Sequence, residues 1–123
     1  MLVVDDDDDM RLLVKLKLEL SGDIEVVAEA VDGIDALDAF ARLHPPPAPQ
    51  VVVLDNRMPG MTGLEVAAQL LARVPAQRII LYSAYLDEET IARARNLGIT
   101  EVVSKSEVDD LADIIRRVHN SDS

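Results

Sequence analysis

The sequence feature that most constrains the fold is an aliphatic run, Val51 to Leu54, that ends directly on Asp55. Valine and leucine without polar alternation are typical of a central parallel strand that is covered on both faces. Pro59 and Gly60 follow shortly afterwards and predict a turn. Asp55 alone therefore has two interpretations: it caps this turn, or it is a carboxylate that the strand delivers to a functional edge.

Size and composition limit the classes of protein that this chain can represent. Its 123 residues suit one domain, and with 49% hydrophobic but only 2% aromatic residues the core is predicted to be aliphatic. There is no cysteine, which excludes thiol chemistry and is consistent with a cytoplasmic protein. No segment is apolar enough over ~20 residues to suggest a membrane span. The net charge of −11 argues against nucleic-acid binding by this domain.

Aliphatic strand patterns alternate with helical patterns along the chain. Strands are predicted over 1–4, 25–30, 51–54, 78–82 and 101–104, and helices over 10–20, 32–44, 63–74, 87–97 and 108–118. The proline-rich segment 45–49 is interpreted as a stiff spacer, with a docking ligand for a partner as the alternative. Residues 1–119 form the predicted domain, and the chain from His119 is predicted to fray into a tail over 120–123.

The first predicted helix is the most ambiguous element, because leucines alternate with charged residues over part of it, as they would in a strand. We predict a helix that Asp9 caps and that ends at Ser21 and Gly22. Its apolar stripe is predicted to contain Met10, Leu12, Leu13, Val14, Leu16, Leu18 and Leu20.

The alternation of strands and helices predicts a three-layer α/β sandwich with a parallel five-stranded sheet. In the flavodoxin-like strand order 2-1-3-4-5, the functional crevice lies where the first and third strands end. Those ends carry Asp5, Asp6 and Asp55, and the fourth and fifth strands end on Ser83 and Lys105. Singly, each residue also suits a solvated loop, a turn or a surface charge. Their convergence on one edge favours a site.

This set of residues suits metal and phosphoryl chemistry. Two carboxylates about 5 Å apart repel by roughly 3 kcal/mol at an effective dielectric near 20, so a cation is expected between them. Oxygen ligands favour Mg²⁺ or Mn²⁺. A carboxylate beside such an ion, with the ammonium of Lys105 and the hydroxyl of Ser83 nearby, is suited to forming an aspartyl phosphate, and Asp55 has the central position.

Over nearly its whole length the chain resembles the receiver domain of two-component response regulators. The motifs that carry the resemblance are Leu2-Val3-Val4-Asp5-Asp6, Leu54-Asp55-Asn56-Arg57-Met58-Pro59-Gly60-Met61-Thr62-Gly63, Ser83-Ala84 and Lys105. The resemblance implies that Asp55 accepts a phosphoryl group from a phosphohistidine of a sensor histidine kinase. It also implies a signalling switch that promotes only its own phosphorylation and dephosphorylation, rather than an enzyme acting on other substrates.

The resemblance assigns roles to the remaining residues of the site. Asp5 and Asp6 would hold Mg²⁺, with Asp6, Asp55 and the backbone carbonyl of Arg57 as the direct ligands. Ser83 and Lys105 would contact the phosphoryl group. Arg57 and Tyr85 would tune the rate of dephosphorylation. The surface over 87–97 and 101–118 would transmit the signal to a second copy of the chain or to an output domain, such as a DNA-binding domain.

Two positions depart from the family pattern. Val102 stands where an aromatic residue often rotates with the switch hydroxyl, and Ser106 stands where proline commonly follows the lysine. A pseudo-receiver that acts only as a binding module therefore stays an alternative. An aspartyl-phosphate phosphatase is disfavoured because Arg57 occupies the place of that family's second acid, and the chain has no room for a cap domain. The chain is either a stand-alone receiver or a fragment of a protein with an output domain.

Overall fold

The computed structural model describes residues 1–43, 51–99 and 101–120. The strands are β1 (Leu2–Val4), β2 (Ala28–Ala30), β3 (Val51–Asp55), β4 (Arg78–Ser83) and β5 (Glu101–Ser104). The helices are α1 (Asp8–Leu20), α2 (Gly33–Leu43), α3 (Gly63–Arg73), α4 (Glu88–Leu97) and α5 (Leu111–Asn120), with a 3₁₀ helix over Lys105–Asp110. The sheet is parallel with the order β2-β1-β3-β4-β5, which confirms the predicted flavodoxin-like sandwich.

The β3 strand lies at the centre of the sheet, and all of its residues are buried. Val52 and Leu54 pack into the cluster beneath α2 and α3, whereas Val51 and Val53 pack into the cluster beneath α1 and α5. Burial on both faces explains why this segment contains only aliphatic residues before Asp55. The strand therefore places that carboxylate at the side of the sheet where the carboxyl ends of the strands lie.

The α1 helix forms as predicted, but two details of the prediction are wrong. Asp7, rather than Asp9, is the N-terminal cap: its backbone is extended, and its carboxylate accepts hydrogen bonds from two backbone amides of the first turn. Val14 and Leu18 are buried, whereas most of the predicted apolar stripe faces solvent. The exposed members of that stripe are Leu12, Leu13, Leu16 and Leu20.

The β2 strand and the α5 helix differ from their predicted bounds by two or three residues at an end. The β2 strand is shorter than the predicted 25–30, and the chain before it bonds to Met1 through the Val27 amide. The segment that contains Val108 is a 3₁₀ helix, so α5 begins at Leu111. The α5 helix includes Asn120, so the tail predicted from His119 is helical as far as the structure describes it.

Two predictions fall on other parts of the chain. The proline-rich spacer 45–49 and the tail residues 121–123 lie outside the described residues. Among the described helices, none combines the length and apolar character that a membrane span requires.

Candidate acidic site at the carboxyl edge of the sheet

Three carboxylates meet where β1 and β3 end. Asp5 and Asp6 follow β1 directly, and Asp55 is the last residue of β3. Each contributes an oxygen to a group whose members all lie within 4.8 Å of one another. Asp5 and Asp55 are buried, whereas Asp6 is exposed. The strand order thus brings together the acids that the sequence had placed at one edge.

Lys105 lies between the two buried carboxylates. Its Nζ atom is 3.2 Å from Asp5 Oδ2 and 3.3 Å from Asp55 Oδ2. The lysine immediately follows β5, so the fifth strand delivers it to the acids of the first and third. Burial first, and then the charge of Asp5, raise the pKa of Asp55 to about 7, although Lys105 opposes this rise. One ammonium group therefore balances the negative charge of this pocket only in part.

The turn after β3 holds Asp55 through its backbone. The Arg57 N–H donates to Asp55 Oδ1 at 3.3 Å, and the Gly63 N–H donates to the Asn56 carbonyl at 2.9 Å. Asn56 Oδ1 also accepts from the Leu64 N–H in the first turn of α3. A Cβ atom at Gly63 would lie 2.4 Å from the Asp55 carbonyl oxygen, so only glycine permits this close approach.

Ser83, Tyr85 and Arg57 form a second group beside the acids. The Ser83 hydroxyl is buried and bonds to the backbone of Tyr85, donating to its carbonyl at 3.0 Å and accepting from its N–H at 3.1 Å. The Arg57 guanidinium lies 4.6 Å from the centre of the Tyr85 ring, in a cation–π contact at the surface. Ser83 thus reaches the predicted edge, with its hydroxyl held in the local turn.

The family model described as "Response regulator receiver domain" matches residues 1–118 of this chain. The chain belongs to this family. A chemotaxis protein CheY from Listeria monocytogenes is 34% identical over 105 residues, which cover 85% of this chain and 84% of that protein. The response regulator protein VraR from Staphylococcus saprophyticus is 28% identical over 123 residues, which are 99% of this chain but only 57% of VraR. The chain thus spans little more than half of that relative.

Solved structures give the same assignment. The signal receiver domain of the response regulator NarL from Mycobacterium tuberculosis aligns with a TM-score of 0.81 and 32% identity, covering 97% of this chain and 94% of that one. The predicted membership of the receiver-domain family is therefore confirmed, and receiver domains of response regulators are signalling modules. The VraR relation shows that a receiver of this kind also occurs within a longer chain.

The acidic pocket of this receiver domain suits a hard divalent cation. Its three carboxylates offer only oxygen, which is the ligand type that Mg²⁺ prefers. Asp6 is exposed and accessible to a hydrated ion, whereas Asp5 Oδ1 already accepts from the Asp7 N–H at 2.9 Å. The donor chemistry therefore fits Mg²⁺, and Asp6 is the one carboxylate of the three that is exposed to solvent.

One residue of the receiver site was missed by the sequence analysis, which treated Tyr82 only as part of a strand. The Tyr82 phenol is buried and donates a hydrogen bond to Asp5 Oδ2. Burial and the adjacent Asp5 raise the pKa of this phenol, which therefore keeps its proton. The signal in the sequence was a phenol hydroxyl at the end of an otherwise aliphatic run. The pairing of Tyr82 with Asp55 comes from the strand register of the structure.

The two departures from the family pattern have visible structural consequences. Val102 is half-buried and lines a shallow groove with Leu86, Ile91 and Ile99 between α4 and β5. Ser106 supplies a backbone N–H that proline lacks, and this N–H donates to the Ser104 hydroxyl at 3.3 Å. Ser104 thereby caps the 3₁₀ helix that begins at Lys105.

Proposed function

We propose that this receiver domain is a phosphorylatable switch in which Asp55 accepts a phosphoryl group from a sensor histidine kinase. The observation that carries the proposal is the buried Asp55 carboxylate, which shares the Lys105 ammonium with Asp5 inside an acidic pocket. The pocket combines a nucleophile, the Lys105 ammonium and a place for Mg²⁺ on one edge of the sheet. These are the parts that phosphoryl transfer to a carboxylate requires.

In the proposed transfer, an oxygen of Asp55 attacks the phosphorus of a phosphohistidine. The new O–P bond forms as the P–N bond breaks, and the departing imidazole nitrogen keeps the electron pair and takes up a proton. Asp6, Asp55 and the backbone carbonyl of Arg57 would hold the Mg²⁺, which neutralises phosphoryl oxygens when bound. Lys105 would then turn from the carboxylates to a phosphoryl oxygen.

The change would reach the surface through Ser83 and α4. A phosphoryl group adds about −1.5 to −2 charge at the pocket, and the Ser83 hydroxyl would leave the Tyr85 backbone to donate to it. The α4 helix is loosely held, since Ala94 is its one buried residue. We therefore propose that α4, β5 and α5 form the surface that an output domain or a second copy recognises. With Val102 in place of an aromatic residue, this coupling would run through backbone and aliphatic contacts.

Arg57 and Tyr85 are proposed to set the lifetime of the phosphorylated state. Both side chains are exposed, and their cation–π contact lies next to the turn that carries Asp55. A paired guanidinium and ring would restrict the approach of water to the acyl phosphate. The phosphatase alternative gains no support from this geometry, because Arg57 occupies the position at which a second acid would be needed.

Intact-mass measurement tests the proposed phosphorylation. Incubation with acetyl phosphate and Mg²⁺ is expected to add ~80 Da, the mass of one phosphoryl group, in a form that hydrolyses on standing. Asp55→Asn should abolish the addition, whereas the matched control Asp38→Asn, an exposed aspartate on α2, should retain it. No addition to the wild-type chain would contradict the proposal and favour a pure binding module. An equal addition to Asp55→Asn would contradict the choice of Asp55 as the acceptor.

A further inference from the structure

Tyr82 and Lys105 share one acceptor atom in the acidic pocket. The Tyr82 phenol donates to Asp5 Oδ2, and Lys105 Nζ lies 3.2 Å from the same oxygen. The lysine also lies 5.1 Å from the centre of the Tyr82 ring, within the range of a cation–π contact. The ring therefore forms a surface on which the ammonium rests, and its hydroxyl is a second donor to the same carboxylate.

The Tyr82 hydroxyl matters because the proposed switch takes the Lys105 ammonium away from Asp5. If Lys105 turns to a phosphoryl oxygen, Asp5 Oδ2 loses its only cationic contact among the described ion pairs. Asp5 is fully buried, and a buried carboxylate that loses a partner is strongly destabilised. Tyr82 belongs to β4 and is in parallel register with Asp55, so its hydroxyl is fixed in place while the lysine moves.

We propose that Tyr82 is a positioning residue that keeps Asp5 bonded and so allows Lys105 to transfer from Asp5 to the phosphoryl group. This inference rests on the proposed phosphorylation of Asp55. An ordinary core aromatic would fill the same space between β4, α1 and α5, and phenylalanine would serve it equally well. The hydroxyl is the part that the inference concerns, and Tyr82→Phe removes it alone.

Binding of beryllofluoride, a phosphoryl analogue, tests the inference together with binding of Mg²⁺ alone. Because the chain has no tryptophan, both affinities are measured from backbone amide shifts of the ¹⁵N-labelled protein. Tyr82→Phe is expected to weaken the analogue affinity about ten-fold, the effect of one hydrogen bond to a charged group. Its affinity for Mg²⁺ alone should stay within about three-fold, since Lys105 has not yet left Asp5. The control Asp38→Asn, an exposed aspartate on α2, should leave both affinities unchanged.

A second measurement leaves Tyr82 itself in place. The chain has two tyrosines, so 3-fluorotyrosine in the Tyr85→Phe variant labels position 82 alone. Its ¹⁹F signal is expected to shift when beryllofluoride and Mg²⁺ are added, because the ammonium leaves the ring face. Lys105→Ala should reproduce that shift in part before the analogue is added.

The outcomes separate this inference from the proposed function. An unchanged analogue affinity in Tyr82→Phe, an equal loss of Mg²⁺ and analogue affinity, or a ¹⁹F signal that does not respond would each overturn the role of Tyr82 while leaving phosphorylation intact. A wild-type chain that binds no analogue would overturn the proposed function, and the inference with it.

Discussion

Replacing the proposed phosphoacceptor with asparagine is expected to stabilise the metal-free domain. Asp55 is buried beside Asp5, with their cluster oxygens no more than 4.8 Å apart, so the two charges repel by about 3 kcal/mol at an effective dielectric near 20. Lys105 offsets part of this repulsion but is shared between both acids. Asparagine removes the charge and keeps an oxygen that can accept from the Arg57 N–H.

The raised pKa of Asp55 gives the size and pH dependence of this effect. Its pKa rises from 3.8 to about 7, and three pKa units correspond to about 4 kcal/mol as an upper limit. The stabilisation expected from Asp55→Asn is smaller, about 1–3 kcal/mol, because relaxation and solvent screening weaken the repulsion. In the folded state Asp55 binds its proton more tightly than in the unfolded state. Wild-type stability therefore falls as the pH rises from about 4 to about 7, and Asp55→Asn lacks this loss.

Urea denaturation followed by circular dichroism measures the difference between pH 5 and pH 8. The stability of Asp55→Asn relative to the wild type should rise between pH 5 and pH 7, and the variant should be the more stable by about 1–3 kcal/mol above pH 7. Asp38→Asn, which removes an exposed charge, should follow the wild type at every pH. Mg²⁺ at 100 times its dissociation constant should stabilise the wild type by about 2.7 kcal/mol and close the gap. Parallel pH curves for wild type and Asp55→Asn would refute this reasoning.

Three further substitutions test other parts of the structure. Gly63→Ala is expected to cost roughly 2 kcal/mol or more in urea denaturation, because its Cβ would overlap the Asp55 carbonyl; an unaffected midpoint would contradict this contact. Leu18→Ala should cost about 2–5 kcal/mol, whereas Leu16→Gln should change the unfolding free energy by less than about 0.5 kcal/mol; equal losses would mean that both are buried. Arg57→Ala should shorten the lifetime of the ~80 Da adduct, followed by intact mass, because it removes the cation from the Tyr85 ring; an unchanged lifetime would exclude this role.

The sheet and the acids of the site could be predicted from sequence because one physical rule connects them. Parallel strands end on the same edge, so residues that follow separate strands converge without any knowledge of side-chain contacts. Val51 to Leu54 could only be a strand buried on both faces, and Asp55 followed from its end. Asp5, Asp6 and Lys105 then joined it because the strand order was predicted correctly.

The details that sequence could not supply depend on which neighbour covers each residue. The five consecutive aspartates have equal propensity to cap a helix, so the sequence had no means of choosing Asp7 over Asp9. Asp5 and Asp6 differ in burial although they are chemically identical neighbours. Tyr82 became part of the site through the register of β4 against β3, which hydrophobic patterns do not determine.

The exposed leucines of α1 have a consequence for how the molecules behave in solution. Leu12, Leu16 and Leu20 recur every four residues and form an apolar ridge on one side of the helix. A net charge of −11 keeps neighbouring molecules apart at low ionic strength. In 1 M salt the Debye length falls to about 3 Å, and this repulsion no longer extends beyond contact. The colloidal stability of the domain therefore depends on its acidic charge, and we expect its second virial coefficient to fall as salt is added.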